Sequence, residues 1–216
     1  SLSSSLKRLT YPALTWATST IHSGPPDSSG VTISNYDESW PGEYTIQWSE
    51  TSEFWGGKGW EVGSTHGYSA SGLTGPGYSA TGTNGSLLLY GTTTANPGVE
   101  YFIVEDVSPT TALWLAGMPI SGTVTADDSV YDIYEITQTN DAGVQQLQYW
   151  NVRQTPRDNG AITRGVHFSA WAELGMPLGD LGMQVFAVKG EAGDGAGSVV
   201  VRIQTVSGIF IREGIG

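Results

Sequence analysis

Along most of the chain, apolar and polar residues alternate in short runs bounded by glycine, proline, asparagine or aspartate. The clearest runs are "GEYTIQWSE", "SLLLYGTTT", "GVEYFIVED", "GTVTA", "SVYDIYEITQT", "LQYWNVRQT", "MQVFAVKGE" and "GSVVVRIQT". A period of two sends successive side chains to opposite faces of a strand, and frequent turn residues between such runs favour antiparallel pairing. Only "VHFSAWAELG", residues 166–175, repeats at helical spacing, with Phe168, Trp171, Ala172 and Leu174 on one side and Gly175 as the stop. The pattern predicts an all-β protein of many antiparallel strands with one α-helix.

The same alternation sorts residues by face. Glu100 and Phe102 share one face of their run, and Val99, Tyr101 and Ile103 take the other. Leu88, Tyr90 and Thr92 fall together, as do Gln148 and Trp150, and Met183, Val185, Ala187 and Lys189. Faces that mix tyrosine, tryptophan and glutamine with single charges read as a groove rather than a core. Lys189 stands out because it is one of only three lysines and closes an apolar strand.

Composition narrows the function. The 216 residues are enough for one domain with a generous core, and 30 glycines and 8 tryptophans suit short strands with tight turns. The net charge of −12 repels phosphate backbones and anionic lipid, so nucleic acid and membrane surfaces are not expected partners. No stretch reaches the roughly 20 apolar residues of a membrane helix. The first residues lack the apolar core of a signal peptide, and the expectation is a secreted, monomeric protein whose leader is already gone. Lys7-Arg8 fits a dibasic processing site and Asn84-Gly85-Ser86 a glycosylation sequon. With no cysteine there are no disulfides or thiolate metal sites. His22 and His66 have no ligands at metal spacing, and His167 reads as a buried structural residue, so neither metal nor cofactor is expected.

Five segments resemble glycoside hydrolase family 11, the small jelly-roll endo-β-1,4-xylanases. They are "YTIQWSETSEFWGGKGWEVGS" (44–64), "GSLLLYGTTTANPGVEYFIVED" (85–106), "YDIYEITQTN" (131–140), "QYWNVRQTPR" (148–157) and "VHFSAWAELGMPLGDLGMQVFAVKG" (166–190). The resemblance implies a β-jelly roll of two packed, curved sheets with one helix and a long open cleft. It divides the single domain into a divergent segment 1–43 contributing the first strands, a xylanase-like body 44–203 and an extension 204–216.

The resemblance also implies the site. A retaining glycosidase needs two carboxyls about 5 to 5.5 Å apart, one ionised as nucleophile and one protonated as acid/base. The nucleophile position falls on Glu100, whereas the acid/base position falls on Lys189 and that group's usual partner on Glu53. Tyr90, Phe102, Gln138, Gln148, Trp150 and Trp16 correspond to cleft residues. Thr92 stands where a stacking aromatic is usual, Met183 where a tyrosine is, and the thumb hairpin shrinks to "NDAGVQQ". The expectation is a Glu53–Lys189–Glu100 charge cluster in a protein with lost or strongly reduced hydrolysis. It would act as a binding or interaction module for a xylan-like cell-wall polysaccharide. Two alternatives stay open. One is an active xylanase using Glu100 with Glu191 as a relocated acid. The other is a decoy that binds xylanase inhibitors or another xylanase-binding protein.

Overall fold

The computed structural model describes residues 21–23, 31–34, 43–49, 54–60, 77–83, 85–95, 98–139, 143–191 and 195–204. In chain order these form β1 (Ile21–Ser23), β2 (Val31–Ser34), β3 (Glu43–Trp48), β4 (Phe54–Trp60), β5 (Gly77–Thr83), β6 (Ser86–Thr93) and β7 (Val99–Asp106). Then come α1 (Pro109–Leu115), β8 (Gly122–Ala126), β9 (Ser129–Thr139), β10 (Gln145–Arg153), β11 (Asn159–Ala161), α2 (Arg164–Glu173), β12 (Leu181–Gly190) and β13 (Gly197–Gln204). Among the described residues there are two packed sheets, an eight-stranded one in the order β1-β4-β12-β6-β7-β10-β9-β8 and a five-stranded one in the order β11-β5-β13-β3-β2.

Between the sheets lies a core built from alternate residues of each strand. Tyr44, Ile46, Val199 and Val201 of the smaller sheet meet Leu89, Tyr101, Ile103, Ile133, Phe186 and Val188 of the larger. Tyr101 lies flat over the strand beside it, and a Cβ added to Gly91 would fall 2.0 Å from its ring, so that position accepts only glycine. The opposite face of the large sheet is also apolar at its centre, with Leu88, Phe102, Val104, Trp150, Val185 and Ala187 in one cluster.

Three features depart from the expected layout. The pairing is not wholly antiparallel: β10 runs parallel to β7, with Gln148 opposite Glu100 and Trp150 opposite Phe102. The chain leaves β7, crosses through α1 and returns by the antiparallel meander β8-β9-β10, which makes β10 arrive in the same direction. Secondly, the described residues include two helices rather than one. α1 begins at Ser108, whose hydroxyl accepts from the Thr111 amide, with Pro109 in the first turn.

Thirdly, the buried face of α2 is not the expected one. It consists of Arg164, His167 and Trp171 with Phe168 partly covered, while Ala172 and Leu174 face solvent. Polar partners inside the fold draw Arg164 and His167 inward. Arg164 donates to Gln184 Oε1, and Asn151 Nδ2 lies 2.8 Å from His167 Nδ1. Burial, helped by the cations Arg157 and Arg153, lowers the His167 pKa to about 4 against the opposing pull of Asp127, so the ring is neutral, as a structural histidine requires.

The β8-β9 turn is made by Asp127 and Asp128, both with positive φ (49° and 61°), the geometry of a type I′ hairpin. The Asp127 carboxylate then accepts from the Thr163 backbone amide at 2.9 Å and pairs with Arg157. One turn residue thereby ties the hairpin to the start of α2.

Candidate functional site

Glu100 projects from β7 onto the outer, concave face, as alternation requires. Both of its oxygens accept: the Tyr90 hydroxyl donates to Oε1 at 2.9 Å and the Gln148 amide to Oε2 at 2.8 Å. The orientation of that amide is itself set, because the Trp150 indole N–H donates to Gln148 Oε1 at 3.1 Å. A relay from Trp150 through Gln148 therefore holds the carboxylate in one pose. Burial, and then the neighbouring Glu100 charge, push the Tyr90 pKa far up, so its hydroxyl remains a donor at every physiological pH.

Lys189 lies on β12, two strands away. In the registers of β6, Glu100 is opposite Thr92 and Lys189 is opposite Ser86. These positions are six residues apart, about 20 Å on an extended strand. Both side chains nevertheless line one cavity of about 480 Å³. Leu88, Tyr90, Phe102 and Ala187, which lie between them on the same face, line it too, so the cavity runs along the sheet from one group to the other.

The Lys189 ammonium is ion-paired with Glu191, immediately beyond β12, and both groups are largely covered, with side-chain exposures of 12% and 22%. Thr111 of α1 donates to the same Glu191 oxygen at 3.4 Å. The second wall is thus a Lys189–Glu191–Thr111 chain that ties β12 to α1. No group of three or more potential metal ligands occurs among the described residues.

Of the residues expected at the site, Tyr90, Glu100, Phe102, Gln138, Gln148, Trp150, Lys189 and Glu191 all line the cavity. Trp150 contributes less open surface than a stacking platform would. It is 3% exposed, with Phe102 stacked on it at 3.9 Å and Trp114 edge-on at 5.6 Å. Glu53, Trp16 and Asn84 lie outside the described residues. Thr92 supports the backbone, accepting from the Met183 amide at 3.2 Å.

Sequence reasoning missed Trp55, Thr110, Thr111 and Trp114, which also line the cavity. Trp55 could have been found, because it shares the face of Gly57 and Gly59 next to β12. The α1 residues carried a helix-start pattern, Ser108-Pro109, but no residue type that announces a cavity wall.

Two packed sheets, with an oriented carboxylate among aromatic rings on the outer face of the larger one, define a β-jelly roll with an open cleft. The chain belongs to the glycosyl hydrolases family 11, whose family description matches residues 27–200. It is 36% identical over 220 aligned positions to ethylene-inducing xylanase 1 of Botryotinia fuckeliana (strain B05.10), covering 93% of this chain and 74% of that one. Over 183 positions it is 40% identical to endo-1,4-beta-xylanase 11A of Botryotinia fuckeliana, covering 81% of this chain and 74% of the relative. A solved structure from a comparison of two endo-1,4-beta-xylanases of Trichodrema reesei superposes with a TM-score of 0.68 at 31% identity, over 86% of this chain and 96% of that one.

Proposed function

We propose that this family member binds xylan-like polysaccharide in its concave site, outside the cell, and hydrolyses it at least about 10²-fold more slowly than a two-carboxylate enzyme. The observation that carries this reading is the pairing of Lys189 with Glu191 in the cavity that also contains Glu100. Retaining hydrolysis needs a protonated carboxyl facing the nucleophile. Glu100 retains what a nucleophile needs, with both oxygens oriented by neutral donors. Where the family's second carboxyl would stand, the cavity presents the Lys189 ammonium, paired with Glu191.

The relocated-acid alternative is disfavoured by the same pair. Glu191 Oε1 already accepts from the Lys189 ammonium and the Thr111 hydroxyl, so it is engaged as an acceptor rather than presented as an acid. The test is reducing-sugar release from soluble xylan together with a binding titration on the same preparation. Binding with turnover at least 10²-fold below a family 11 xylanase assayed in parallel is expected. Turnover within tenfold of that enzyme would overturn the reading, as would failure to bind any xylan-derived saccharide.

A further inference from the structure

α1 lies wholly in the stretch between the family-like runs 85–106 and 131–140, and it changes the shape of the site. It starts three residues after β7 ends, yet it doubles back over the concave face. Trp114 meets Trp150, whose strand partner Phe102 is four residues before the end of β7. Leu115, 3% exposed, is buried in the outer apolar cluster, and Thr111 is bonded to Glu191 on the opposing wall. The helix is therefore seated at both ends and forms a wall of the cavity rather than a loop beside it.

Its aromatic residue adds to the ring surface that Trp55 and Tyr90, both half-buried, offer from the sheet. Phe102 and Trp150 are 7% and 3% exposed and spend their ring faces on each other. Trp114 is only half-buried and borders the cavity together with Thr110, Thr111 and Glu191, an aromatic plane edged by hydroxyls and a carboxylate. Pyranose rings are bound by that combination, with the apolar ring face on the indole and the hydroxyls on the polar edge.

Building on the saccharide-binding reading above, we propose that α1 is the end wall of the saccharide site and Trp114 its stacking platform. The chain then takes short xylo-oligosaccharides or polymer ends in preference to the interior of a continuous polymer. A cavity of about 480 Å³ falls within the roughly 300–1,000 Å³ of small-ligand pockets and is consistent with a short occupant.

The test is calorimetric titration of the whole protein with xylotriose and xylohexaose, for wild type, Trp114→Ala, Trp114→Phe and Leu113→Ala. Leu113 is on the same helix with 79% of its surface exposed, so its variant controls for disturbance of α1. Wild type should bind the two sugars within about threefold of each other. Trp114→Ala should weaken xylotriose about tenfold, the equivalent of about 1.4 kcal/mol, and make xylohexaose the tighter ligand. Trp114→Phe should retain most of the affinity and Leu113→Ala all of it. Two results would overturn the end wall while leaving saccharide binding intact: wild-type affinity rising tenfold from xylotriose to xylohexaose, or Trp114→Ala matching Leu113→Ala. Binding of neither sugar by folded wild type would overturn the saccharide reading itself, and this inference with it.

Discussion

The two walls of the cavity were built by different rules. The Glu100 wall is made within the sheet: a carboxylate on β7 is oriented by Tyr90 of β6 and Gln148 of β10, the two strands that flank it. Every member follows from strand alternation, and together they leave the carboxylate an oriented acceptor. The Lys189 wall is made between elements. A lysine on β12 is held by Glu191 beyond the strand's end, which in turn accepts from Thr111 of a helix reached from β7. The first wall presents a carboxylate held by two neutral donors, whereas the second presents an ammonium paired with a carboxylate. Fold and site can therefore diverge independently, because a sheet tolerates a charge exchange at a strand end without altering its ladder.

The largest expected effect reverses that difference. Lys189→Glu should raise xylan turnover about 10²-fold, part of the 10²- to 10⁴-fold typical of a general acid, and adding Glu100→Gln should abolish the gain. Reducing-end assays on purified variants measure both. No gain from Lys189→Glu would mean that the second wall is not what limits the chemistry.

Next in size is the response to acid, which should come from behind the sheet rather than from either wall. His167 has a folded pKa of about 4, against about 6.5 when unfolded. Below pH 6.5 the unfolded chain takes a proton that the folded chain refuses. The stabilisation from the neutral ring is complete above pH 6.5 and is lost progressively down to pH 4, by about 3 kcal/mol. Denaturant melts across that range check the slope, and ring chemical shifts from NMR should show His167 still neutral at pH 5. A ring already protonated at pH 6 would contradict the closed packing of α2.

A smaller effect tests whether the second wall is held by its ion pair. Lys189→Met should destabilise the fold by about 1–2 kcal/mol at pH 7, since Glu191 would be left partly covered without its cation. The double variant with Glu191→Gln should be milder, and the difference should shrink as the solution is acidified. A neutral or stabilising Lys189→Met would show the pair to be dispensable. The smallest expected change is Thr111→Val, about 0.5 kcal/mol by thermal melting, because its bond to Glu191 is long at 3.4 Å. A loss above 2 kcal/mol would make α1, not the lysine, the anchor of this wall.

Much of this was legible in the sequence because strand periodicity is local. Alternation alone placed Glu100 with Phe102, Gln148 with Trp150, and Lys189 with Ala187 on one face, and all of these line the cavity. The Asp127-Asp128 hairpin stood between two strand runs that were both recognised. A seven-residue helix has too few turns to show a period, and its Ser-Pro start was hidden among strand signals. For α2 the helix and the burial of His167 were read correctly but Arg164 was not, because it faces inward only when Gln184 is there to receive it.

The sequence by itself determined the class of fold, the strands β3, β6–β10, β12 and β13, the strand faces at the site and the family, since these depend on periods of two and on runs of contiguous residues. Tertiary structure alone decided the partners. The order of β12, β6 and β7 set Glu100 and Lys189, six residues apart in register, along one cavity. The return of α1 over the concave face set Trp114 against Trp150 and Thr111 against Glu191. Strand order and crossover depend on long connections, and no local window of residues contains them.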